Sequence, residues 1–179
     1  MTRTLLFCIA EEAKASIPTI LDAVPEFSLI ESQDCPDDES SLKSKLSPDS
    51  TFETAFINSS PKDVQNWILE KQDTAMFIEP NIAGIADART AKDGTILMTW
   101  YREGEGEECK PHGVLPPRAD SWWDFRVKAE QASRVIAALN FVEPDVAFPR
   151  YFGRKDEFTD GEGVFDAEKA DRDISGKDE

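Results

Sequence analysis

The amino-acid sequence predicts an α/β fold, with α+β as the alternative, in which a mixed sheet of about five or six strands packs with about three helices. The prediction starts from residues 4–10, an apolar run that is continuous rather than alternating. Such a run is typical of a strand that is buried on both faces of a sheet. We therefore expect this strand in the centre of a layered fold.

After this strand, the first half of the chain continues with helix and strand patterns. Ile17 and Ile20 lie on one helical stripe, which Pro25 ends. Ser60 is the expected cap, Pro61 the first residue and Asp63 the acid in the first turn of a second helix. This helix should run to about Lys71. Further strands are predicted at residues 27–32, 51–58 and 74–80.

The second half adds a strand at residues 95–101, which follows a tight turn at Asp93 and Gly94. A strand around residues 124–127 comes next, and the apolar spacing over residues 132–139 predicts a third helix. Residues 163–165 are interpreted as a short last strand.

The predicted domain covers residues 1–166, with surface loops near residues 33–50 and 102–121. Residues 167–179 contain one large apolar residue, Ile174. Such a segment cannot bury enough apolar surface to offset the entropy lost on ordering. We therefore expect an acidic, disordered tail.

The charge of the chain limits its partners. Twenty Lys and Arg residues stand against thirty-six Asp and Glu residues, giving a formal net charge of −16 at pH 7. A negative surface potential repels phosphate backbones and anionic membranes, so we expect neither direct nucleic-acid binding nor membrane association. The same charge would suit a basic protein partner.

The cysteines and the single histidine limit the chemistry. Cys8, Cys35 and Cys109 are odd in number and form no CxxC motif, which favours a reducing, cytoplasmic compartment over a disulfide scaffold. His112 stands alone, which argues against the usual zinc and serine-triad arrangements. Cys109 and His112 have the spacing of a ligand pair, but a metal needs two further ligands. We expect no metal and no cofactor.

Several short motifs follow one another along the second half of the chain in a characteristic order. The set consists of residues 85–90, residues 92–94, the strand at 95–101, Phe125 to Val127, Leu139 and Asn140 with Asp145 and Phe148, and residues 163–165. In this order the motifs resemble a family of small bacterial and fungal proteins known only as a domain of unknown function. The resemblance covers roughly half of the chain. It implies a compact α/β domain, and it implies no cofactor, reaction or catalytic residue.

Charged residues at predicted strand ends form the candidate site. Asp87 and Arg89 follow one strand, and Arg102 and Arg126 lie at or near the ends of others. Because α/β folds bind ligands at strand ends, converging arginines would form a clamp for an anion or a carboxylate, with Asp87 as a candidate base. The apolar wall of such a site would come from a tryptophan, Trp100, Trp122 or Trp123. The alternative interpretation is that Asp87 and Arg89 form a local ion pair or turn contact, and that these tryptophans belong to the core.

Two functional hypotheses follow from these residues. The preferred one is a non-catalytic protein-interaction module, which would use the acidic surface or an apolar patch around Trp122 and Trp123. The other is a small-molecule binding protein or enzyme built on the strand-end Asp and Arg residues. No catalytic residue is assigned beyond the candidate Asp87, and the balance favours a protein that is not an enzyme.

Overall fold

The computed structural model describes residues 2–71, 74–102, 121–142, 146–147 and 149–176. Five strands are present in this part of the chain: β1 (Arg3–Cys8), β2 (Phe27–Leu29), β3 (Ile78–Ala86), β4 (Thr95–Arg102) and β5 (Ser121–Lys128). The α-helices are α1 (Ile17–Ala23), α2 (Pro61–Lys71), the single turn α3 (Thr90–Asp93), α4 (Ala132–Phe141) and α5 (Ala167–Ile174).

The strands form one mixed sheet in the order β2-β1-β3-β4-β5. β1 is parallel to both β2 and β3, whereas β4 is antiparallel to β3 and β5 is antiparallel to β4. The predicted α/β class and mixed sheet are therefore confirmed. None of the helices in the described part of the chain is long and apolar enough to cross a membrane.

Side chains of β1 alternate between two apolar cores. Leu6 and Cys8 belong to a core that includes residues of α1 and α4. Leu5 and Phe7 belong to the opposite core, which includes the apolar residues of α2. Because both faces of β1 are covered, every position on the strand can be apolar, which accounts for the continuous run in the sequence.

The start of α2 follows its sequence signal closely. The Ser60 hydroxyl accepts a hydrogen bond from the Asp63 backbone N–H at 3.2 Å. In return, the Asp63 carboxylate accepts the Ser60 backbone N–H at 2.7 Å. This reciprocal pair satisfies backbone donors that the first turn of a helix leaves open, so the predicted helix start is confirmed.

The strand predicted at residues 51–58 is wrong. Phe52 packs in the core that contains α1, whereas Phe56 packs in the core that contains α2. The N–H of Asn58 donates to the carbonyl of Ile9, just beyond the end of β1, at 2.9 Å. The segment thus lies across the carboxyl end of β1 and closes both cores, and turns replace the strand at residues 55–58.

The disordered tail predicted at residues 167–179 is also wrong where the structure describes it, because residues 167–174 form α5. The Asp166 side chain caps this helix by accepting the Lys169 N–H, and Ala167 and Ala170 are fully buried. The composition of the tail gave no sign of this packing because both buried residues are alanines. Residues 177–179 lie outside the described part of the chain.

The remaining predictions differ in detail. The strand predicted at residues 74–80 starts at Ile78 and continues to Ala86 as β3. The strand predicted at residues 163–165 is a single bridge between Thr159 and Phe165. The loop predicted at residues 33–50 contains a short 3-10 turn, and most of the loop predicted at residues 102–121 lies outside the described residues.

A methyl group at Gly84 tests how tightly β3 packs on the core. A Cβ at this position would lie 2.5 Å from Cζ of Phe27 and 2.9 Å from its Cε1. Phe27 is fully buried and cannot move away freely. We expect Gly84→Ala to lower the free energy of unfolding by about 1–3 kcal/mol, measured by urea denaturation.

Gly161→Ala is the matched control for this variant. A Cβ there would meet no atom within 4 Å, so the stability should stay close to that of the parent chain. Equal losses in the two variants would contradict the packing argument.

Candidate functional site

The candidate site lies at the carboxyl ends of β1 and β3. The chain passes from β1 through α1 to β2, and from β2 through α2 to β3, on the other side of β1. The order of the strands therefore reverses between β1 and β3. In open α/β sheets a crevice for ligands commonly forms at this point.

Asp87 follows β3 directly and organises the turn after it. Its Oδ1 accepts the backbone N–H groups of Arg89 at 3.0 Å and Thr90 at 3.1 Å. The Thr90 hydroxyl accepts the N–H of Asp87 in return, at 3.0 Å. Asp87 and Arg89 thus make the turn contact that the alternative interpretation foresaw.

Arg126 reaches Asp87 from β5, across the first residue of β4. Its Nη1 donates to Asp87 Oδ1 at 3.1 Å and to Thr95 Oγ1 at 3.3 Å, and its Nη2 contacts Asp87 Oδ2. The two side chains are only 12% and 21% exposed. A two-point contact between a guanidinium and a carboxylate is among the stronger polar interactions in proteins.

The environment keeps Asp87 ionised. Partial burial favours the neutral acid, but the hydrogen bonds and charge of Arg126, with the N–H groups of Thr90 and Arg89, outweigh burial and lower the pKa of Asp87. A carboxylate with a lowered pKa is a weak base at neutral pH, and its oxygens are already occupied. Asp87 is therefore a structural acceptor in this arrangement.

The side chain of Arg89 turns away from Asp87. Its Nε donates to Asp93 Oδ2 at 2.7 Å, one helical turn further along the chain. Asp93 also accepts the N–H and hydroxyl of Thr95, at 3.0 and 2.6 Å. Burial opposes the charge of Asp93, but the bonds from Thr95 and Arg89 outweigh it and lower its pKa to about 2.

Arg102 does not join the other three residues of the predicted clamp. It pairs with Ser121 at the far end of the β4–β5 ladder, whereas Thr95 pairs with Lys128 at the near end. Arg102 comes seven positions after Thr95 along the strand, which corresponds to roughly 23 Å. The side chains of Asp87 and Arg126 therefore converge, and Arg89 joins them through its backbone N–H alone. Arg102 lies at the opposite end of the strands.

Trp122 and Trp123 face opposite sides of the sheet. The ring of Trp122 packs on Tyr101 with centroids 5.2 Å apart, in the α2 layer. The ring of Trp123 packs on Phe152 with centroids 5.0 Å apart, in the layer of α1 and α4. Both side chains are partly buried, and they do not form one continuous patch.

A second polar group on the α2 face was missed by the sequence analysis. The Gln65 side-chain amide donates to Thr99 Oγ1 at 2.8 Å and to Asp124 Oδ1 at 3.0 Å. The Thr99 hydroxyl donates to the same Asp124 oxygen at 2.7 Å. A glutamine beside Val64 on the buried side of α2 was the available signal, since a buried amide needs partners.

An acidic cleft of about 360 Å³ lies beside β2. The exposed carboxylates of Asp34, Asp37 and Asp38 line it, together with Cys35. Among the described residues, no Lys or Arg side chain forms a salt bridge with any of the three aspartates. Partial burial raises the pKa of the Cys35 thiol. The cleft therefore offers negative charge to the solvent.

The carboxyl ends of β1 and β3 are poorly suited to binding a phosphate. The N-terminus of α2 is capped by the carboxylate of Asp63, and Glu11 and Glu12 follow β1. These carboxylates would repel a bound anion. In the described part of the chain, no three His, Cys, Asp or Glu residues come together to hold a metal, and Cys109 and His112 lie outside it.

Comparison of the chain with family models, with curated proteins and with solved structures found no match. The resemblance to a domain of unknown function stays a prediction from the sequence motifs.

Removal of the charge of Asp87 tests the structural role of its pair with Arg126. Asp87→Asn keeps the size of the side chain but leaves a largely buried guanidinium without its counter-charge. We expect the free energy of unfolding to fall by about 1–3 kcal/mol. Urea denaturation at pH 7 measures the change, with Asp22→Asn as the exposed control that should leave stability unchanged.

The same pair predicts how this loss depends on pH. Because the folded pKa of Asp87 is lowered, its contribution is complete above the ordinary carboxyl value of about 3.9 and disappears as the pH falls through the folded value. The stability difference between parent and Asp87→Asn should thus stay constant from pH 7 to about pH 5 and shrink below about pH 4. A difference that vanishes already near pH 6 would contradict this assignment.

Proposed function

We propose that this chain is a non-catalytic interaction module that binds a basic protein partner through its acidic surface. The observation that carries the proposal is the cleft beside β2, where Asp34, Asp37 and Asp38 are exposed. A Lys or Arg side chain of a partner would pair with these three aspartates, since Lys43, which lies beside the cleft, pairs with Glu31 instead. The net charge of −16 would draw such a partner in over longer distances.

The polar groups of the strand-end residues already bond to one another, which supports a non-catalytic role. A general base needs a pKa near the working pH and free access to the proton that it removes. Asp87 has a lowered pKa, and its oxygens already accept bonds from Arg126, Arg89 and Thr90. The geometry therefore favours binding by the surface over chemistry at the strand ends.

The alternative function is binding, or turnover, of a small anion or carboxylate at the strand ends. Its support is the position of Asp87 at the carboxyl end of β3, next to the point where the strand order reverses, with Arg126 of β5 in contact with it. A ligand carboxylate would have to replace Asp87 on Arg126, in competition with a partner that is held in place by the fold. A rise in Tm with small carboxylates that Arg126→Lys weakens would favour this alternative.

Neutralisation of the cleft tests the proposed function. The double variant Asp34→Asn and Asp37→Asn removes two charges from the cleft, and Asp22→Asn with Glu130→Gln removes two exposed charges elsewhere. We expect the cleft variant to bind a labelled Lys- and Arg-rich peptide about tenfold more weakly at low salt, whereas the control loses little. Fluorescence anisotropy measures both affinities.

The salt dependence and a charge-reversed peptide complete this experiment. Affinity for the basic peptide should fall as salt rises from about 50 mM to 500 mM, because ions screen exposed charges. An acidic peptide of the same length should not bind. Equal weakening in both double variants would place the interaction outside the cleft, and the absence of binding to any basic peptide at low salt would reject the proposed function.

A further inference from the structure

α5 has very little apolar surface with which to pack. Two alanines, Ala167 and Ala170, are its fully buried residues, and Ile174 packs only partly against the core. The helix is eight residues long, too short to be stable in isolation. Its order therefore depends on how it docks against the rest of the chain.

Charged side chains supply most of that docking at the C-terminal half of α5. The Asp173 carboxylate accepts hydrogen bonds from Arg150 Nε and from Arg154 Nη1, each at 2.9 Å. The side chains of Asp173 and Arg150 are 18% and 16% exposed. One carboxylate on α5 is thus held by two arginines from the preceding segment.

Asp171 makes a second polar connection two residues earlier in the helix. It accepts the phenolic hydroxyl of Tyr151 at 3.1 Å and lies 3.4 Å from Arg134 Nη1 on α4. Tyr151 is fully buried, and burial raises the pKa of its hydroxyl, so the group acts as a neutral donor. The ring of Tyr151 packs among other aromatic rings, and Asp171 of α5 is the hydrogen-bond partner of its hydroxyl.

The other end of α5 is fixed through backbone N–H groups that donate hydrogen bonds to the preceding parts of the chain. The N–H of Ala167 donates to Gln131 Oε1 at 2.9 Å, and the N–H of Asp166 donates to the carbonyl of Phe158 at 2.7 Å. The N-terminal end of α5 is thus held by hydrogen bonds of its backbone, and the C-terminal half by charge pairs. Breaking the charge pairs would free the C-terminal half of α5 while its N-terminal end stays attached to the domain.

The surface beneath α5 is apolar. Tyr151 packs there against the rings of Phe125 and Phe165, with centroids 5.9 and 5.1 Å apart. Beside α5, an open groove of about 400 Å³ runs along α4, and Phe141 at the end of α4 is 76% exposed. Departure of α5 would join the groove to the covered surface.

We propose that α5 is a displaceable strap, held over the apolar side of α4 and Tyr151 by the charge pairs of Asp171 and Asp173. In the docked state the strap hides this surface, and in the released state its carboxylates and the three arginines are hydrated separately. The disorder predicted from the low apolar content of residues 167–179 would correspond to the released state of α5. The strap contributes no residue to the lining of the acidic cleft, and its proposal does not depend on the proposed function.

Hydrogen exchange measured by mass spectrometry tests the strap. Asp173→Asn removes the charge that joins Arg150 and Arg154, and we expect the amides of residues 170–175 to exchange about tenfold faster or more. Amides in α2 and β3 should keep their protection. Fluorescence of an added apolar dye, anilinonaphthalene sulfonate, should rise as the surface under α5 becomes accessible.

Glu168→Gln is the matched control in the same helix. Glu168 pairs with Arg172 at 2.8 Å on the exposed side of α5 and contacts neither Arg150 nor Tyr151 within the described residues. Its removal should leave exchange and dye fluorescence unchanged. Tyr151→Phe, which removes only the bond to Asp171, should speed exchange in α5 by a smaller factor.

Three results would overturn the proposal. Exchange of α5 amides at the rate of α2 and β3 in every variant would show that α5 opens only when the whole domain unfolds. Loss of protection in α2 and β3 together with α5 in Asp173→Asn would place the helix in the cooperative core. Equal loosening by Glu168→Gln would show that general helix stability, and not the charge pairs, holds α5.

Discussion

The burial of β1 on both faces is the constraint on which the rest of this structure depends. A strand with apolar side chains in both directions needs a layer of helices on each side. The chain meets this need by sending α1 to one face and α2 to the other before it returns to the sheet at β3. Parallel connections of this kind bring the ends of β1 and β3 to one edge. The location of the candidate site is thus a consequence of how the core closes.

The antiparallel strands β4 and β5 bring a further side chain to these strand ends. β5 runs in the same direction as β3, two strands away, so that a side chain near its end reaches the same edge. Arg126 lies there and contacts Asp87 over Thr95 of β4. In an open crevice the guanidinium would be available to a ligand. Here it joins the parallel and the antiparallel halves of the sheet, and a position that often binds ligands serves as a structural connection.

Local signals explain which parts of the fold could be predicted. The continuous run of β1 and the Ser60 and Asp63 signal of α2 depend on neighbours in sequence, and both appear as expected. The strand predicted at residues 51–58 was wrong because Phe52 and Phe56 pack into different cores. Which core each residue joins can be known only once the arrangement of the sheet is known. Alternation of apolar residues alone does not distinguish a strand from a segment that crosses its end.

The residues of the candidate site were also predictable only where local signals sufficed. Strand ends were identified correctly for Asp87 and Arg126, but their contact spans 39 positions and depends on the strand order. Arg102 could not be separated from them by sequence, because only the direction of β4 shows that it lies at the far edge. The contacts of Gln65 and the docking of α5 were missed because neither gives a periodic pattern of large apolar residues. Gln65 is held by polar contacts, and the fully buried residues of α5 are alanines.

The distribution of the acidic residues separates structural from surface roles. Asp63, Asp87 and Asp173 each accept bonds that hold an element in place, and each has its pKa lowered by those partners. Asp34 and Asp37 hold no element in this way and face an open cleft. A high net negative charge repels itself and destabilises a compact state, so carboxylates without a structural role carry a cost. Solubility explains dispersed charges of this kind, whereas the grouping of these carboxylates in a cleft beside the edge strand β2 is the feature that supports the proposed binding of a positively charged side chain.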